Sequence, residues 1–233
     1  MNILLKYPSR GRPSIFKKQL QHYIKSLSGK HSYKFIFTFD SDDISMNNDD
    51  IRSFIESLDV KCEYYYGEHI NKIAAINDNM ENQIFDFFIL LADDIYVSPN
   101  FDEQLAQIFN TSKWALDSSV FIHTVSWYRY LDVFCVMGYE YYKRFNYIYY
   151  PGYISEAADK EYTEVSKLLN RSVEVSTPLL EHRWDSIETD STRERNMDIS
   201  LLKRDEELYD IRLSNLFDIK KDVEDTLIQS RFK

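Results

Sequence analysis

The sequence of 233 residues contains little glycine, proline or cysteine, with 5 Gly, 5 Pro and 2 Cys. Few glycines and prolines leave little material for long flexible loops, so we expect a compact fold. The two cysteines, Cys62 and Cys135, lie far apart in apolar or aromatic runs and have neither metal-ligand nor redox spacing. We therefore expect two core thiols in a reducing compartment.

The sequence also lacks an excess of basic residues and lacks long apolar runs. Its 28 Lys and Arg stand against 38 Asp and Glu, which gives a formal charge of -10 and argues against a nucleic-acid partner. No apolar run reaches the roughly 18 to 20 residues of a spanning helix. The N-terminus is too short and too polar for a signal peptide. We expect a cytoplasmic, soluble protein, either free or peripheral to a membrane.

Aromatic residues are abundant, with 18 Tyr and 15 Phe, and they favour strands. In the first half, strand-like and helix-like runs alternate. The strand-like runs are 2–7, 33–39, 60–66 and 85–91, and the helix-like runs between them are 13–27, 51–58 and 71–80. This alternation predicts an α/β fold with a mostly parallel sheet flanked by helices.

The pattern is less regular after a predicted helix at residues 100–110. Mixed aromatic strands are predicted over residues 114–150, because aromatic side chains dominate there. The remaining predictions are a helix at 155–169, a strand at 172–176 and one or two amphipathic helices within 199–229, packed on the outside.

Two adjacent carboxylates follow the run 85–91, which has almost no polar residue. Asp93 and Asp94 would repel each other and lose solvation at the end of a buried strand, unless a cation or several donors balance them. A hard divalent cation such as Mg²⁺ or Mn²⁺ takes oxygen ligands and would also neutralise a diphosphate. The simpler alternative is a solvated turn or a helix cap, because Asp favours turns.

Three polar loops are expected to meet at one edge of the sheet. Residues 8–12, 40–43 and 92–94 each follow a predicted parallel strand. Ligands of such sheets collect at the carboxyl ends of the strands. The presence of the other two loops favours a ligand site at Asp93 and Asp94 over an isolated turn.

The order of these motifs resembles a GT-A glycosyltransferase of the family-2 type. The matching stretches are Tyr-Pro-Ser-Arg at 7–10, Phe-Asp-Ser-Asp-Asp at 39–43, Asn-Lys at 71–72 and Leu-Ala-Asp-Asp at 91–94. The resemblance covers about residues 3–184. It implies one GT-A domain over residues 1–233 with a Rossmann-like sheet. Its parts would be a nucleotide-binding half at 1–110, an acceptor and catalytic half at 111–197 and C-terminal helices at 198–233.

The resemblance implies nucleotide-binding roles for the loops. Pro8, Ser9 and Arg10 would line the nucleotide. Asp40 would accept a hydrogen bond from the base, and Lys72 would lie near the base or the diphosphate. Each loop also has a simpler interpretation, because acidic turns and surface Arg or Lys are common.

The resemblance also implies a site for Mn²⁺ or Mg²⁺. The stretch at 91–94 stands where the family carries its Asp-x-Asp metal motif, with Leu91 or Ala92 in place of the first acidic residue. Asp93 would then face the ribose and Asp94 the metal, or the two roles would be exchanged. His182 would complete the metal shell, because a neutral imidazole is a metal ligand, although a lone His is more often structural.

Acidic residues also begin the predicted helix near residue 155. Capping explains carboxylates there without catalysis. The resemblance places the catalytic base at this point of the chain, where a carboxylate deprotonates the acceptor hydroxyl. By that resemblance Asp159 is the first choice, Glu161 the second and Glu156 the third.

A polar loop follows at residues 185–196. It contains Arg193 and Arg195, and arginines can clamp a diphosphate. Such a loop would close over the donor and exclude water.

These predictions combine into a metal-dependent, inverting glycosyltransferase. Its partners would be a nucleotide-sugar donor, a UDP-sugar by preference, and a hydroxyl of a glycan or similar acceptor. One alternative is a non-catalytic module that binds a nucleotide sugar or a glycan. Another is a nucleotidyltransferase, which would normally have a more basic or glycine-rich loop after the first strand than residues 8–12, where the one glycine is Gly11.

Overall fold

The computed structural model describes residues 1–123, 130–183 and 198–224. The first half is an alternation of strands and helices. In chain order its elements are β1 (Asn2–Pro8), α1 (Pro13–Ser26), β2 (Ser32–Asp40), α2 (Asp49–Glu56), β3 (Lys61–Gly67), α3 (Lys72–Asn77) and β4 (Phe87–Leu90). All the predicted elements of this half are present, although α3 is shorter than residues 71–80. It ends early because Asp78 adopts an extended backbone (ψ 150°).

The second half has shorter strands and less regular connections. Its elements are β5 (Ile95–Val97), α4 (Phe101–Thr111), β6 (Ser119–Ile122), β7 (Val136–Gly138), α5 (Tyr139–Tyr142), α6 (Ala158–Leu168), β8 (Ser172–Val175), β9 (Leu180–His182), α7 (Ile199–Ser214) and the 3₁₀ turn Leu216–Asp218.

Among the described residues, seven strands form the central sheet, in the order β3-β2-β1-β4-β7-β6-β8. The strands β1 to β4 pair in parallel, whereas β7 runs antiparallel to both β4 and β6. A separate two-stranded sheet pairs β5 antiparallel with β9. The prediction of a mostly parallel α/β sheet flanked by helices is therefore confirmed.

Alternate residues of the strands supply two hydrophobic cores, one on each face of the sheet. On one face Ile3 and Leu5 of β1 pack in a cluster with Phe16 and Leu20 of α1. On the other face Leu4 packs in a cluster that also contains buried residues of α3 and α6. Every residue of β4 is buried, which agrees with its continuous apolar sequence and central place.

The prediction of aromatic strands throughout residues 114–150 is wrong in its second part. Gly138 ends β7, and α5 follows with a series of turns up to residue 150. A Cβ at Gly138 would lie 2.2 Å from the carbonyl oxygen of Leu116, so only glycine allows this close backbone approach. The tyrosines that suggested strands pack instead as rings in the second core, as Tyr141 and Tyr142 do.

Within the described residues, the predicted C-terminal helical segment is present as α7 and the 3₁₀ turn, and the predicted part after residue 224 lies outside those residues. Among the residues described, no helix has the length and apolar character needed to cross a bilayer. Within the same residues, Cys62 and Cys135 are both free thiols.

Candidate active site

A cavity of about 760 Å³ lies at the carboxyl ends of the parallel strands. It is lined by residues from the end of β2, from the loops after β1, β3 and β4, from the starts of α3 and α6, and from β9. The predicted site residues that line it are Pro8, Ser9, Arg10, Asp40, Lys72, Asp93, Asp94, Glu156, Asp159 and His182. Glu161 is not among them, and Arg193 and Arg195 lie outside the described residues.

Asp93 is buried at the cavity wall and is held by β1 and the loop after it. The hydroxyl of Tyr7 donates to its Oδ1 at 2.6 Å, and the hydroxyl of Ser9 lies 3.1 Å from the same atom. Arg12 Nη1 approaches Oδ2 at 3.5 Å. Burial raises the pKa of Asp93 to about 6, against the lowering effect of these donors. Asp93 thus ties the end of β4 to the end of β1.

Two side chains of α1 also hold the turn that carries Asp93 and Asp94. Gln19 Nε2 donates to the carbonyl oxygen of Asp93 at 2.9 Å. The hydroxyl of Tyr23 lies 2.5 Å from the carbonyl oxygen of Ala92 and 2.6 Å from that of Ile95. These bonds fix the backbone of the turn, which would otherwise carry unpaired polar groups beside the core.

Asp94 faces the cavity next to His182. The pairing of β5 with β9 sets Ile95 opposite His182, and the backbone N–H of Arg183 donates to the Asp94 carbonyl oxygen at 2.7 Å. His182 Nε2 then lies 3.2 Å from Asp94 Oδ2. Burial alone would raise the pKa of Asp94, but the hydrogen bond and charge of His182 hold that pKa below its usual value.

This pair fits a divalent cation. Two neighbouring ligand atoms on an octahedral ion lie about 3 Å apart, given bonds of about 2.1 Å, and Asp94 Oδ2 and His182 Nε2 have that spacing. The described part of the chain contains no group of three or more His, Cys, Asp or Glu that could hold a metal ion. A cation here would therefore take its other ligands from a bound phosphate and from water, as Mg²⁺ commonly does.

The end of β2 and the loop after it form a charged network with two other loops. Arg10 donates to Asp40 and also pairs with Asp42 at 2.7 Å. His69 Nδ1 lies 2.6 Å from Asp40 Oδ1, and His69 Nε2 lies 3.0 Å from Asp78 Oδ2. Burial by itself would raise the pKa of Asp40, but the hydrogen bonds from His69 and Arg10 lower it overall. Asp40 is thus a paired, charged group at the cavity wall.

Asp159 and Glu156 line the cavity from the start of α6. Asp159 accepts a hydrogen bond from the backbone N–H of Lys160 at 2.8 Å, and its carboxylate has no side-chain hydrogen bond within the residues described. Burial raises the pKa of Asp159, and the charge of Lys72 opposes that rise. Burial also raises the pKa of Glu156. Asp159 therefore presents an available carboxylate to the cavity.

Glu161 lies in a different environment from the one predicted. It is buried, and both of its oxygens bind Arg212, with Nε at 2.6 Å and Nη2 at 2.7 Å. The hydroxyl of Tyr153 also donates to it at 2.7 Å. Glu161 is two positions after Asp159, and this spacing turns the two side chains to different sides of α6. Glu161 is thus part of the packing between α6 and α7 and does not reach the cavity.

The sequence interpretation missed His69, Arg12 and Tyr7 as partners of the acidic residues. A signal for His69 was present, because it closely follows β3, whose carboxyl end opens at the same edge. A Cβ at Gly67 would lie 2.7 Å from the His69 ring, so the glycine leaves space for it. For Tyr7, the alternation along β1 predicts a core position and gives no sign that its hydroxyl reaches Asp93.

No protein-family model matches this sequence, and no curated protein matches it. Solved structures do match its fold. A fragment of TarS from S. aureus (residues 1–349) superposes with a TM-score of 0.60 at 13% identity, covering 78% of this chain and 60% of that one. The mannosyltransferase PcManGT from Pyrobaculum calidifontis, solved with GDP-Man and Mn²⁺, gives 0.60 at 10% identity, covering 78% and 56%.

A third match has a different activity. The 4-diphosphocytidyl-2C-methyl-D-erythritol synthase from Anaerococcus prevotii gives a TM-score of 0.50 at 11% identity, covering 88% of this chain and 95% of that one. The chain spans 60% of the TarS fragment and 56% of PcManGT. These similarities show that the chain has the GT-A fold.

Proposed function

We propose that this chain is a metal-dependent glycosyltransferase. It moves a sugar from a nucleotide diphosphate, by preference a UDP-sugar, to a hydroxyl of a glycan-type acceptor, with inversion at the anomeric carbon. The proposal is carried by one observation. A single cavity at the carboxyl edge is lined both by the Asp94–His182 pair and by the available carboxylate of Asp159.

The donor side of the proposal rests on the loops of residues 1–110. The matched TarS fragment has been solved with UDP and with UDP-GlcNAc, and PcManGT with GDP-Man and Mn²⁺. In this chain Asp94 and His182 would hold Mn²⁺ or Mg²⁺. The bound cation would neutralise charge on the diphosphate leaving group. Asp40, fixed by Arg10 and His69, would orient the base, and Asp93 would hold the loops that surround the ribose.

The acceptor side rests on residues 111–197, and Asp159 is its reactive group. As the acceptor oxygen bonds to the anomeric carbon and the bond to the diphosphate breaks, the hydroxyl proton passes to the Asp159 carboxylate. Because burial raises the pKa of Asp159, this carboxylate is more basic than an exposed one. Lys72 lines the same cavity as a cation, where it favours the charged form of Asp159 and would also attract the diphosphate.

The experiment is a nucleotide-release assay with UDP-glucose, UDP-GlcNAc, UDP-galactose and GDP-mannose, each with Mn²⁺ or with EDTA. We expect release of UDP from at least one donor in the presence of Mn²⁺, with transfer to an added acceptor. Asp94→Asn and Asp159→Asn should each lower the rate by about 100-fold or more, because each removes a group that acts at the reacting bond.

Asp49→Asn is the matched control, because Asp49 is 98% exposed on α2 and does not line the cavity. It should turn over donor at the wild-type rate. Full turnover by both cavity variants would overturn the proposal. Binding of UDP with Mn²⁺, without release or transfer from any donor, would favour a non-catalytic binding module.

Nucleotidyl transfer is the second candidate, because the synthase from Anaerococcus prevotii matches over 95% of its own length. The loop after β1 argues against it. The two arginines of this loop form ion pairs with carboxylates, Arg10 with Asp40 and Asp42, and Arg12 with Asp93. Both arginines are therefore engaged by the protein, whereas a nucleotidyltransferase needs cations that bind the triphosphate. Release of pyrophosphate from CTP or UTP in the presence of a sugar or alcohol phosphate would favour this candidate.

A further inference from the structure

The helix α7 carries a fully buried carboxylate that binds backbone N–H groups and does not line the cavity. Asp205 is 0% exposed. It accepts hydrogen bonds from three consecutive backbone N–H groups, those of Ile154 (3.1 Å), Ser155 (2.8 Å) and Glu156 (2.9 Å). Arg204 Nη1 also lies 3.5 Å from its Oδ1. Three N–H donors on one carboxylate make a strong, charge-assisted attachment.

The segment that Asp205 holds leads directly into α6 and Asp159. Ala157, the residue before α6, has a left-handed backbone with φ 58°. That conformation is costly for a residue with a Cβ, so the segment needs support from outside. Asp205 supplies this support to the three residues immediately before Ala157. The direction in which α6 starts, and with it the position of Asp159, therefore depends on Asp205.

A second attachment from the same helix fixes the other side of Asp159. Arg212, two turns after Asp205 on α7, binds both oxygens of Glu161, two positions beyond Asp159 on α6. In addition, Glu206 of α7 lines the cavity and pairs with Lys160 at 2.9 Å. One helix, α7, thus holds the start of α6 both before and after Asp159. From the sequence, this helix was expected only to pack on the outside.

From this geometry we infer that Asp205 is a positioning residue for the catalytic base. Its carboxylate holds the backbone of residues 154–156 so that Asp159 faces the acceptor hydroxyl. The inference rests on the proposed function, because Asp205 can position a catalytic base only if Asp159 acts as one. It differs from a purely structural role in one respect. Loss of Asp205 should slow the chemical step and leave donor binding unchanged, because Asp205 contacts none of the residues proposed to bind the nucleotide or the metal.

The test compares Asp205→Asn with Asp210→Asn, the same change at an exposed position of the same helix. Asn has the shape of Asp but replaces one acceptor oxygen by an NH₂ group that faces N–H donors. In Asp205→Asn we expect faster hydrogen exchange at the amides of residues 154–156 and a kcat lower by about 10- to 100-fold, because displacement of a reacting group by about 1 Å costs that much. The KM for the donor should stay within about twofold of wild type, and Asp210→Asn should match wild type throughout.

Asp205→Glu serves as a second variant if Asp205→Asn does not fold. It keeps the charge but moves the carboxylate by one methylene, so it should show the same fall in kcat with an unchanged donor KM. Wild-type kcat in folded Asp205→Asn, or an equal loss of donor binding and kcat, would overturn the positioning role while the proposed function stands. Absence of turnover by the wild-type protein with every donor would overturn the proposed function and this role together, even if hydrogen exchange shows the attachment.

Discussion

Four of the buried carboxylates differ in the hydrogen-bond partners that compensate for their burial. Asp93 accepts from Tyr7 and Ser9, Glu161 binds Arg212, and Asp205 binds backbone N–H groups. Asp132 is the exception. It is 0% exposed, and its oxygens reach only the Ser119 hydroxyl at 3.5 Å and the Phe134 N–H at 3.4 Å among the described residues. Poorly compensated burial disfavours its charged form.

At the residue scale we predict that Asp132→Asn gains stability relative to wild type as pH rises. Burial raises the pKa of Asp132 to about 8. The folded state then keeps a proton that the unfolded state has lost, so the free energy of unfolding of wild type falls between the unfolded pKa, about 4, and the folded pKa. The difference in favour of the variant should grow by up to about 1.4 kcal/mol per pH unit between about pH 5 and 8.

Urea unfolding of wild type and Asp132→Asn at four pH values from 5 to 8 measures this difference. Asp49→Asn, at an exposed position, should show no such trend relative to wild type. A constant difference between Asp132→Asn and wild type across this range would contradict the prediction.

A local sequence pattern can predict where a residue lies along an element, but it does not predict which distant residue it contacts. Asp93 and Asp94 were predictable as an edge site, because an apolar run followed by acidic residues marks the end of a buried strand. Glu161 was proposed as a base beside Asp159, because an acidic pair at a helix start gives no information on which partner each carboxylate meets. That partner, Arg212, comes from a helix much later in the chain.

At the scale of elements, the regular helices and strands of the first half were predictable from hydrophobic periodicity. The strands β5 and β9 were not predicted, because three residues are too few to show a period. Their pairing nevertheless brings His182 to Asp94. The element that completes the candidate metal site was therefore the least visible in the sequence, and only family resemblance suggested His182.

The helix α1 supports the turn of Asp93 and Asp94, and this support predicts an effect of Tyr23→Phe. Removal of the hydroxyl leaves the buried carbonyl oxygen of Ile95 without this donor, and it leaves the carbonyl oxygen of Ala92 with only the Ile95 N–H at 3.3 Å. This loss should lower the free energy of unfolding by about 1 to 3 kcal/mol. The loosened turn should also weaken the Mn²⁺-dependent binding of UDP.

Calorimetric titration of UDP in Mn²⁺, together with urea unfolding, measures both effects. The control is Tyr64→Phe, whose hydroxyl donates to Glu56 at 2.8 Å on the exposed surface and should contribute little. Equal stability and equal UDP affinity in Tyr23→Phe and Tyr64→Phe would show that α1 does not support the site.

At the scale of the whole molecule, the proposed function predicts that nucleotide and metal stabilise the fold jointly. A ligand present at about 100 times its Kd, and bound only by the folded state, adds about 2.7 kcal/mol. For a chain of this size that corresponds to a rise in Tm of roughly 5 to 10 °C. UDP should produce this rise with Mn²⁺ and lose most of it in EDTA.

Asp94→Asn should remove the Mn²⁺-dependent part of the shift, and Asp49→Asn should retain it. Differential scanning fluorimetry with UDP, GDP and CDP distinguishes the donor classes. A shift by UDP that is equal in Mn²⁺ and in EDTA would contradict a role for the metal in holding the diphosphate.

The place of β4 in the sheet also bears on how the chain can be divided. β4 takes β1 as its partner from the predicted nucleotide-binding half and β7 from the predicted acceptor half. A fragment ending near residue 110 would expose β4 as an open edge with an entirely apolar sequence, and such edges recruit other chains into aggregates. We therefore expect the two halves to fold as one cooperative unit, so that the donor half cannot be excised as a stand-alone nucleotide sensor.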